Sequence, residues 1–260
     1  MSLRDVLRPY WSRIAIPSEE TTRAREIAKL GPENRWGRFH NEEIDFWDRV
    51  LDVRNVDPEL WPETRFLRTH PGLLLQKYLT ELIDAPAGSR VEILDVGAGP
   101  LTSLGKKWPG HEVHITAVDA NAAEYDRLLA KQGIEPLCRT VPGCAEELSS
   151  VVPPSSFDLV HARNSIDHTK DPLKAIREMV NVVKPGRYVF LNHKISEGRV
   201  EKYTEYHQWN FFLHRSRFYI DRPGMRAIDV GKKVLRGIAD VTVGPSPDGR
   251  EWFCAMIRRR

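Results

Sequence analysis

The sequence predicts an α/β fold built on a mostly parallel β-sheet, with a helical segment before it. From about residue 88 onward, short apolar runs of strand length alternate with helical stretches, which is typical of parallel strands joined by crossover helices. Near the end, two apolar runs flank the turn sequence Pro-Ser-Pro-Asp-Gly at 245–249 and predict an antiparallel hairpin. A chain of 260 residues can form one large domain with an appended segment.

The individual helices and strands are predicted from the spacing of apolar residues and from residues that favour helix starts, helix ends and turns. Residues 1–87 are predicted to form two or three helices, because Trp, Arg and Glu recur there at helical spacing. Residues 88–260 form the second unit, in which Asp171 followed by Pro172 is a typical helix start. The predicted strands of this unit are 91–96, 113–118, 137–141, 157–162 and 188–192, and the predicted helices lie near 102–107, 121–132, 145–150 and 172–183.

Charge and cysteine content argue against several classes of protein. The net charge of +3 is too small and too evenly spread to require nucleic acid or an anionic membrane as partner. No apolar run approaches the ~18 residues of a membrane span, and the N-terminus lacks a signal-peptide core, so we expect a cytoplasmic protein. Three cysteines that form no Cys-x-x-Cys pair fit a reducing compartment, and we expect no metal site.

The stretch Val-Glu-Ile-Leu-Asp-Val-Gly-Ala-Gly-Pro at 91–100 ends a predicted buried strand with Asp95, Gly97 and Gly99. Glycine weakens a strand and is favoured where the backbone turns sharply or a ligand comes close. Open parallel sheets bind ligands at the carboxyl ends of their strands. Asp119 lies at the tip of the next predicted strand, where a carboxylate can accept hydrogen bonds from both hydroxyls of a ribose. These features predict a ligand that contains a nucleoside.

Two such cofactors compete, NAD and S-adenosylmethionine. A nicotinamide site usually carries G-x-G-x-x-G, but here Thr102 stands at the third glycine position and Pro100 removes an amide donor. The pattern therefore disfavours a dinucleotide. At this point the sequence resembles the class I S-adenosylmethionine-dependent methyltransferases, and in particular the small-molecule methyltransferases with a single Rossmann-like domain.

The resemblance covers about residues 88–260 and rests on five motifs in the expected order. They are Ile-Leu-Asp-Val-Gly-Ala-Gly-Pro at 93–100, Asp119, Gly-Cys-Ala-Glu at 143–146, Phe-Asp-Leu-Val at 157–160 with His-Thr-Lys-Asp-Pro at 168–172, and Lys-Pro-Gly at 184–186. The resemblance implies a seven-stranded Rossmann-like sheet, mostly parallel, with an antiparallel strand inserted by a C-terminal hairpin, and S-adenosylmethionine as cofactor. The cofactor-binding residues that it implies are Asp95, Gly97, Ala98, Gly99, Asp119, Ala120, Cys144, Ala145, Glu146 and Arg163. Cys144 stands where the family often has an acid, so adenine binding is expected to use the backbone near Ala145.

The segment after the fourth strand narrows the type of acceptor. It reads His-Ala-Arg-Asn-Ser at 161–165 and differs from the Asn-Pro-Pro-Tyr type of the family's adenine and amide N-methylating members. Neither the paired glutamates of protein-arginine methyltransferases nor an acid cluster for magnesium is evident. We therefore expect O-methylation of a hydroxyl on a small molecule, such as a sugar or a natural-product intermediate. An RNA methyltransferase and an inactive cofactor-binding partner subunit remain alternatives.

Candidates for the base that takes the hydroxyl proton are His207 and His168, and Asp167 is a candidate for orienting His168. A structural role for His168 is left open. The run Glu-Tyr-His-Gln-Trp-Asn at 205–210 suits a polyhydroxylated acceptor, although it could equally form an amphipathic helix that packs Tyr206, Trp209 and Phe212. We expect the N-terminal helices to cover the acceptor side of the site, with a role as part of the core as the alternative.

Overall fold

The computed structural model describes residues 32–52, 62–203 and 207–260. The N-terminal part contains the long helix α1 (Pro32–Leu51), the shorter helix α2 (Pro62–Thr69) and the single turn α3 (Lys77–Thr80). After them the chain alternates between strands and helices, as predicted. None of the helices in the described ranges is long and apolar enough to cross a membrane.

A seven-stranded sheet forms the centre of the molecule, and it confirms the predicted mostly parallel α/β architecture. Its order is β3-β2-β1-β4-β5-β10-β9, in which the first five strands are parallel and β10 runs antiparallel to both of its neighbours, β5 and β9. The strands are β1 (Arg90–Val96), β2 (Glu112–Asp119), β3 (Thr140–Pro142), β4 (Phe157–Arg163), β5 (Val183–Lys194), β9 (Ala239–Ser246) and β10 (Gly249–Arg259). The C-terminal hairpin thus inserts β10 between β5 and β9, as the resemblance implied.

Strand register aligns the tips of the central strands at one edge. Asp95 of β1 pairs with Ala117 of β2 and with His161 of β4, so the residues that follow these strands emerge side by side. Helix α4 (Ala122–Gln132) follows β2, and helix α5 (Pro172–Val182) lies between β4 and β5. The predicted start of α5 is confirmed, because the Asp171 carboxylate accepts hydrogen bonds from the backbone of Leu173 and Lys174.

The helix predicted near 102–107 is wrong. This segment instead runs beside residues 73–76: Lys106 N and Lys107 N donate to Leu73 O, and Leu75 N donates to Lys107 O. Gly105 makes the approach possible, since an added Cβ there would collide with the backbone of Leu74. Pairing with a distant part of the chain therefore replaced the local helix.

A second, three-stranded antiparallel sheet was not predicted. It consists of β6 (Asn210–His214), β7 (Arg217–Asp221) and β8 (Ile228–Asp229), preceded by the short helix α6 (Glu197–Val200). The alternative of an amphipathic helix through 205–212 is therefore wrong over 207–212, whereas residues 204–206 lie outside the described ranges. The small sheet packs on the large one through Phe218, whose ring centroid lies 5.3 Å from that of Phe253 in β10 and 5.5 Å from that of Phe211 in the neighbouring strand β6.

Candidate cofactor and acceptor site

The turn after β1 can be formed only by glycine at two positions. Gly97 and Gly99 have φ angles of 67° and 66°, the left-handed region that other residues rarely adopt. A Cβ on Gly97 would collide with Ser165, and one on Gly99 would lie 2.7 Å from the ring of Trp47. The turn is anchored to β2, since Gly97 N donates to Val118 O at 2.8 Å.

One cavity lies at this edge of the sheet, and it brings together all the residues for which the sequence predicted a cofactor-binding role. Its lining includes Asp95, Gly97, Ala98, Gly99, Asp119, Ala120, Cys144, Ala145, Glu146 and Arg163. These residues come from the tips of β1, β2 and β4 and from the 3₁₀ turn Ala145–Ser150 after β3. Sequence motifs more than 60 positions apart therefore contribute to a single concave surface.

Asp119 and Asn121 present acceptor atoms that suit a ribose. The Asp119 carboxylate accepts from Gly99 N at 3.0 Å and from Asn121 N at 2.9 Å, which leaves further acceptor capacity on both oxygens. Burial raises the pKa of Asp119 despite these two bonds. Asn121, 4% exposed, lines the same cavity, and its Oδ1 has no hydrogen-bond partner among the described residues. Two sugar hydroxyls would supply the missing donors, so these residues fit S-adenosylmethionine.

Asp95 holds the strand tips together from a buried position. Its carboxylate accepts from Thr102 Oγ1 at 2.6 Å and contacts His161 Nδ1 at 2.7 Å. The side chain of Asp95 is 4% exposed and that of His161 is 1% exposed. The three side chains therefore link β1, β4 and the segment that follows the glycine turn.

Arg163 and Glu146 connect the cavity to its surroundings. Arg163 Nε donates to Asp248 Oδ2 at 2.7 Å, which joins the tip of β4 to the turn of the C-terminal hairpin. Glu146 Oε1 accepts from Lys170 N at 2.7 Å and from Asp171 N at 3.1 Å. Both side chains line the cavity while they fix the loops around it.

The N-terminal helices contribute residues that sequence reasoning missed. Glu43 and Trp47 of α1 and Arg68 of α2 line the cavity. Trp47 Nε1 donates to Glu43 Oε1 at 2.8 Å, and the Arg68 guanidinium lies 5.4 Å from the Trp47 ring centre. Burial, and then the charge of Arg163, lower the pKa of Arg68 to about 10. No motif marks these positions, because their role arises only from how the helices pack.

The three predicted catalytic residues also lie together. Asp167 and His168 belong to the 3₁₀ turn Ile166–His168 after β4, and His207 approaches them from the segment before β6. His207 Nδ1 lies 2.8 Å from Asp167 Oδ2 and 3.2 Å from His168 Nε2. Of the three, His168 lines the cofactor cavity among the described residues, whereas Asp167 and His207 contact His168 and are not part of the lining.

The cluster has unusual electrostatics because it is buried. Burial alone would lower the pKa of His207, but the hydrogen bond and charge of Asp167, with Glu197 nearby, raise it to about 9. Burial raises the pKa of Asp167 to about 6 against the opposing effect of His207. Burial and His207 lower the pKa of His168 well below its ordinary value. The pairing of His207 with Asp167 therefore favours the charged form of His207.

Comparisons with known proteins agree with this geometry. Residues 94–191 match the family model of the methyltransferase domain Methyltransf_11. "Methyltransferase GfsG" of Streptomyces halstedii is 30% identical over 173 residues, 60% of this chain and 60% of that protein. The "Ubiquinone biosynthesis O-methyltransferase" of Bordetella parapertussis is 29% identical over 137 residues, 50% of this chain and 54% of that protein. The chain thus spans little more than half the length of these two relatives.

A similar solved structure is that of a S-adenosylmethionine-dependent methyltransferase from Clostridium acetobutylicum, 14% identical with a TM-score of 0.44, covering 85% of this chain and 98% of that one. The family match begins within β1, just before the glycine turn, and ends within β5. It therefore includes the strand tips that form the cavity. The family match, the strand order and the glycine turn together identify residues 94–191 as a class I S-adenosylmethionine-dependent methyltransferase domain.

Proposed function

We propose that this chain transfers the methyl group of S-adenosylmethionine to a hydroxyl of a small molecule, such as a sugar or a natural-product intermediate. The observation that carries this proposal is the single cavity that has a glycine turn and Asp119 among its lining residues and also His168 of the imidazole–carboxylate cluster. The similarity to an O-methyltransferase of ubiquinone biosynthesis supports oxygen as the methylated atom.

Four parts of the cavity would hold the cofactor. The turn at Gly97 and Gly99 lets the methionine part approach the backbone, and Asp119 would accept hydrogen bonds from the ribose hydroxyls. The backbone around Ala145 would border the adenine. Arg68, a cavity-lining cation whose Nε has no hydrogen-bond partner within the described ranges, suits the carboxylate of the methionine part. When bound, the cofactor supplies an electrophilic methyl group on a cationic sulfonium.

The acceptor would be aligned and kept from water by residues of this chain. A hydroxyl must present a lone pair in line with the methyl group and must lose its proton, and such alignment accounts for much of the rate in this type of reaction. We assign the handling of that proton to the cluster of Asp167, His168 and His207, because His168 faces the cavity with the other two against it. Glu43 and Trp47 of α1 form part of the wall, which supports a cap role for the N-terminal segment.

The proposal can be tested in two steps with purified full-length protein. Isothermal titration should show binding of S-adenosylhomocysteine and none of NAD. Labelled S-adenosylmethionine should then transfer its methyl group to hydroxylated small molecules, with the O-methyl product identified by NMR. Transfer to RNA, or to nitrogen or carbon of small molecules, would reject O-methylation while keeping the cofactor. Cofactor binding without transfer to any fraction of a cell extract would favour a partner subunit without activity.

A further inference from the structure

Three potential metal ligands converge beside the cofactor cavity. Asp167 Oδ2, His168 Nε2 and His207 Nδ1 form a triangle with edges of 2.8, 3.2 and 3.8 Å. They come from two segments 40 positions apart, the turn after β4 and the segment before β6. The side chain of Asp167 is 1% exposed, and those of His168 and His207 are 22% and 17% exposed.

The size of this triangle matches a coordination sphere. A tetrahedral ion with bonds of about 2.0 to 2.1 Å holds its ligand atoms about 3.3 Å apart, and the three observed edges bracket that value. Each residue offers one ligand atom, and all three atoms lie within 4.8 Å of one another. The arrangement needs no large side-chain movement to bind an ion.

Hydrogen bonding alone accounts for the contacts poorly. An imidazole nitrogen carries at most one hydrogen, yet His207 Nδ1 lies within hydrogen-bond distance of both Asp167 Oδ2 and His168 Nε2. One hydrogen cannot point well at two acceptors that lie in different directions. If the hydrogen were instead on His168 Nε2, the lone pair of His207 would face the carboxylate. A cation between the three atoms satisfies all of them at once.

The surroundings of the triangle contain buried polar atoms that lack a hydrogen-bond partner. Asp167 Oδ1, His193 Nδ1 and Glu197 Oε2 have no hydrogen-bond partner in the part of the chain that the structure describes. Their side chains are 1%, 1% and 3% exposed. A buried polar group without a partner is destabilising. Glu197 Oε2 lies 3.5 Å from His207 Nδ1, where it could bond to a water molecule held by an ion.

We propose that Asp167, His168 and His207 form a binding site for a first-row divalent cation at the acceptor end of the cavity. Two imidazoles and one carboxylate suit Zn²⁺, Mn²⁺ or Fe²⁺, whereas Mg²⁺ and Ca²⁺ prefer sites made of oxygen alone. A catalytic zinc site usually has three protein ligands and a further coordination position that is open to the substrate. The sequence alone predicts no metal site, because the cysteines lack the spacing of metal ligands.

The site would deepen the proposed function but its existence does not depend on it. With a cation bound, the two histidines serve as ligands and not as proton acceptors. The positive charge acidifies a hydroxyl held beside it, whose proton then passes to water. Cation binding can therefore be measured without cofactor or acceptor, and its failure is distinguishable from failure of the proposed methyl transfer.

The test uses full-length protein stripped with a chelator and dialysed against limiting Zn²⁺, with metal content measured by mass spectrometry. We expect about one equivalent per chain. Co²⁺ should give the visible absorption of a tetrahedral complex that contains nitrogen ligands. His168→Ala and His207→Ala should each weaken Zn²⁺ binding at least about 100-fold, since even outer partners of metal ligands contribute 10- to 100-fold. His114→Ala removes a half-exposed histidine of β2, outside the cluster, and should bind as the native protein does.

Asp167→Asn retains the shape of the side chain and covers the case in which a histidine variant fails to fold. It should remain folded by circular dichroism and lose most of its Zn²⁺ affinity. Native protein that holds less than about a tenth of an equivalent would overturn the proposal, as would unchanged Zn²⁺ binding in folded variants of all three residues. Methyl transfer by such metal-free protein would leave the proposed function intact and return the proton-accepting role to an imidazole.

Discussion

Replacing Gly105 with alanine should destabilise the protein by about 3 kcal/mol. In the observed structure an added Cβ would collide with the carbonyl of Leu74 and the amide of Leu75. Residues 105–107 would have to separate from residues 73–75, which breaks three backbone hydrogen bonds. Each contributes about 1 kcal/mol, so the loss is about 3 kcal/mol.

If the sequence-based prediction of a helix near 102–107 were right, the Gly105→Ala substitution would stabilise the protein. In an exposed helix, glycine to alanine stabilises by about 1 kcal/mol. The two structures therefore differ by about 4 kcal/mol in the effect of a single methyl group. Few other substitutions distinguish the helix from the observed path so clearly, because most side chains of this segment would be tolerated in both structures.

Chemical denaturation of the Gly105→Ala variant measures the free energy of unfolding directly. For a domain of this size, a loss of 3 kcal/mol should also lower Tm by about 6 to 12 °C. Gly231→Ala is the matched control, since a Cβ there would make an ordinary contact 3.5 Å from Val241, and it should change stability by less than about 1 kcal/mol. A Gly105 variant as stable as the native protein, or more stable, would refute the observed path of residues 101–107.

Three further predictions concern the cavity and its neighbour Lys106. Asp119→Ala should weaken S-adenosylhomocysteine binding by roughly 1.5 to 3 kcal/mol, because two sugar hydroxyls lose a charged acceptor; normal affinity by calorimetry would leave Asp119 as a structural residue only. Trp47→Ala opens one wall of the cavity and should speed cofactor dissociation about tenfold in stopped-flow fluorescence, whereas an unchanged rate would separate α1 from cofactor binding. Burial, and then Arg68, lower the pKa of Lys106 from 10.5 to about 8, so the unfolded chain binds more protons between these values and stability rises with pH there. From pH 7 to 10 the free energy of unfolding of the native protein should rise by about 1 to 2 kcal/mol more than that of Lys106→Met, allowing for partial exposure to solvent. Parallel curves of unfolding free energy against pH for the two proteins would contradict this.

The features that the sequence predicted well depend on local signals. The tip of β1 could be recognised because glycines at 97 and 99 interrupt an apolar run, and the structure gives both a left-handed conformation. The start of α5 followed from Asp171 and Pro172, which act within one turn of helix. The position of Asp119 at the end of β2 followed from the apolar run 113–118, which stops at this acid. Such signals need no knowledge of what lies opposite in the fold.

The features that it missed depend on contacts between distant segments. Nothing near Gly105 indicates that residues 73–76 lie against it, and helix propensity was therefore the only guide. The strand β6 begins at Asn210 in a run whose aromatic spacing fits a helix as well as a strand. Pairing with β7 favours the strand over the helix, because it buries Phe211 and Phe218, each 1% exposed, in the core. Trp47 and Arg68 reach the cavity for a similar reason, since only the packing of α1 and α2 places them there.

The two ends of the cavity therefore differ in origin, and this difference has a chemical consequence. The cofactor end is formed mainly by strand tips whose identity is fixed by the glycine turn and Asp119. In the proposed function, the acceptor end is the part of the wall that His168 of the turn after β4 forms, and His207 contacts His168 from the segment before β6. His207 is joined to the turn after β4 through Asp167 and lies outside the family match at 94–191. We therefore expect substitution of His207 to alter the proposed acceptor end without disturbing the glycine turn. We accordingly expect the choice of acceptor, and of imidazole or cation chemistry, to depend in part on a residue that lies outside the family match.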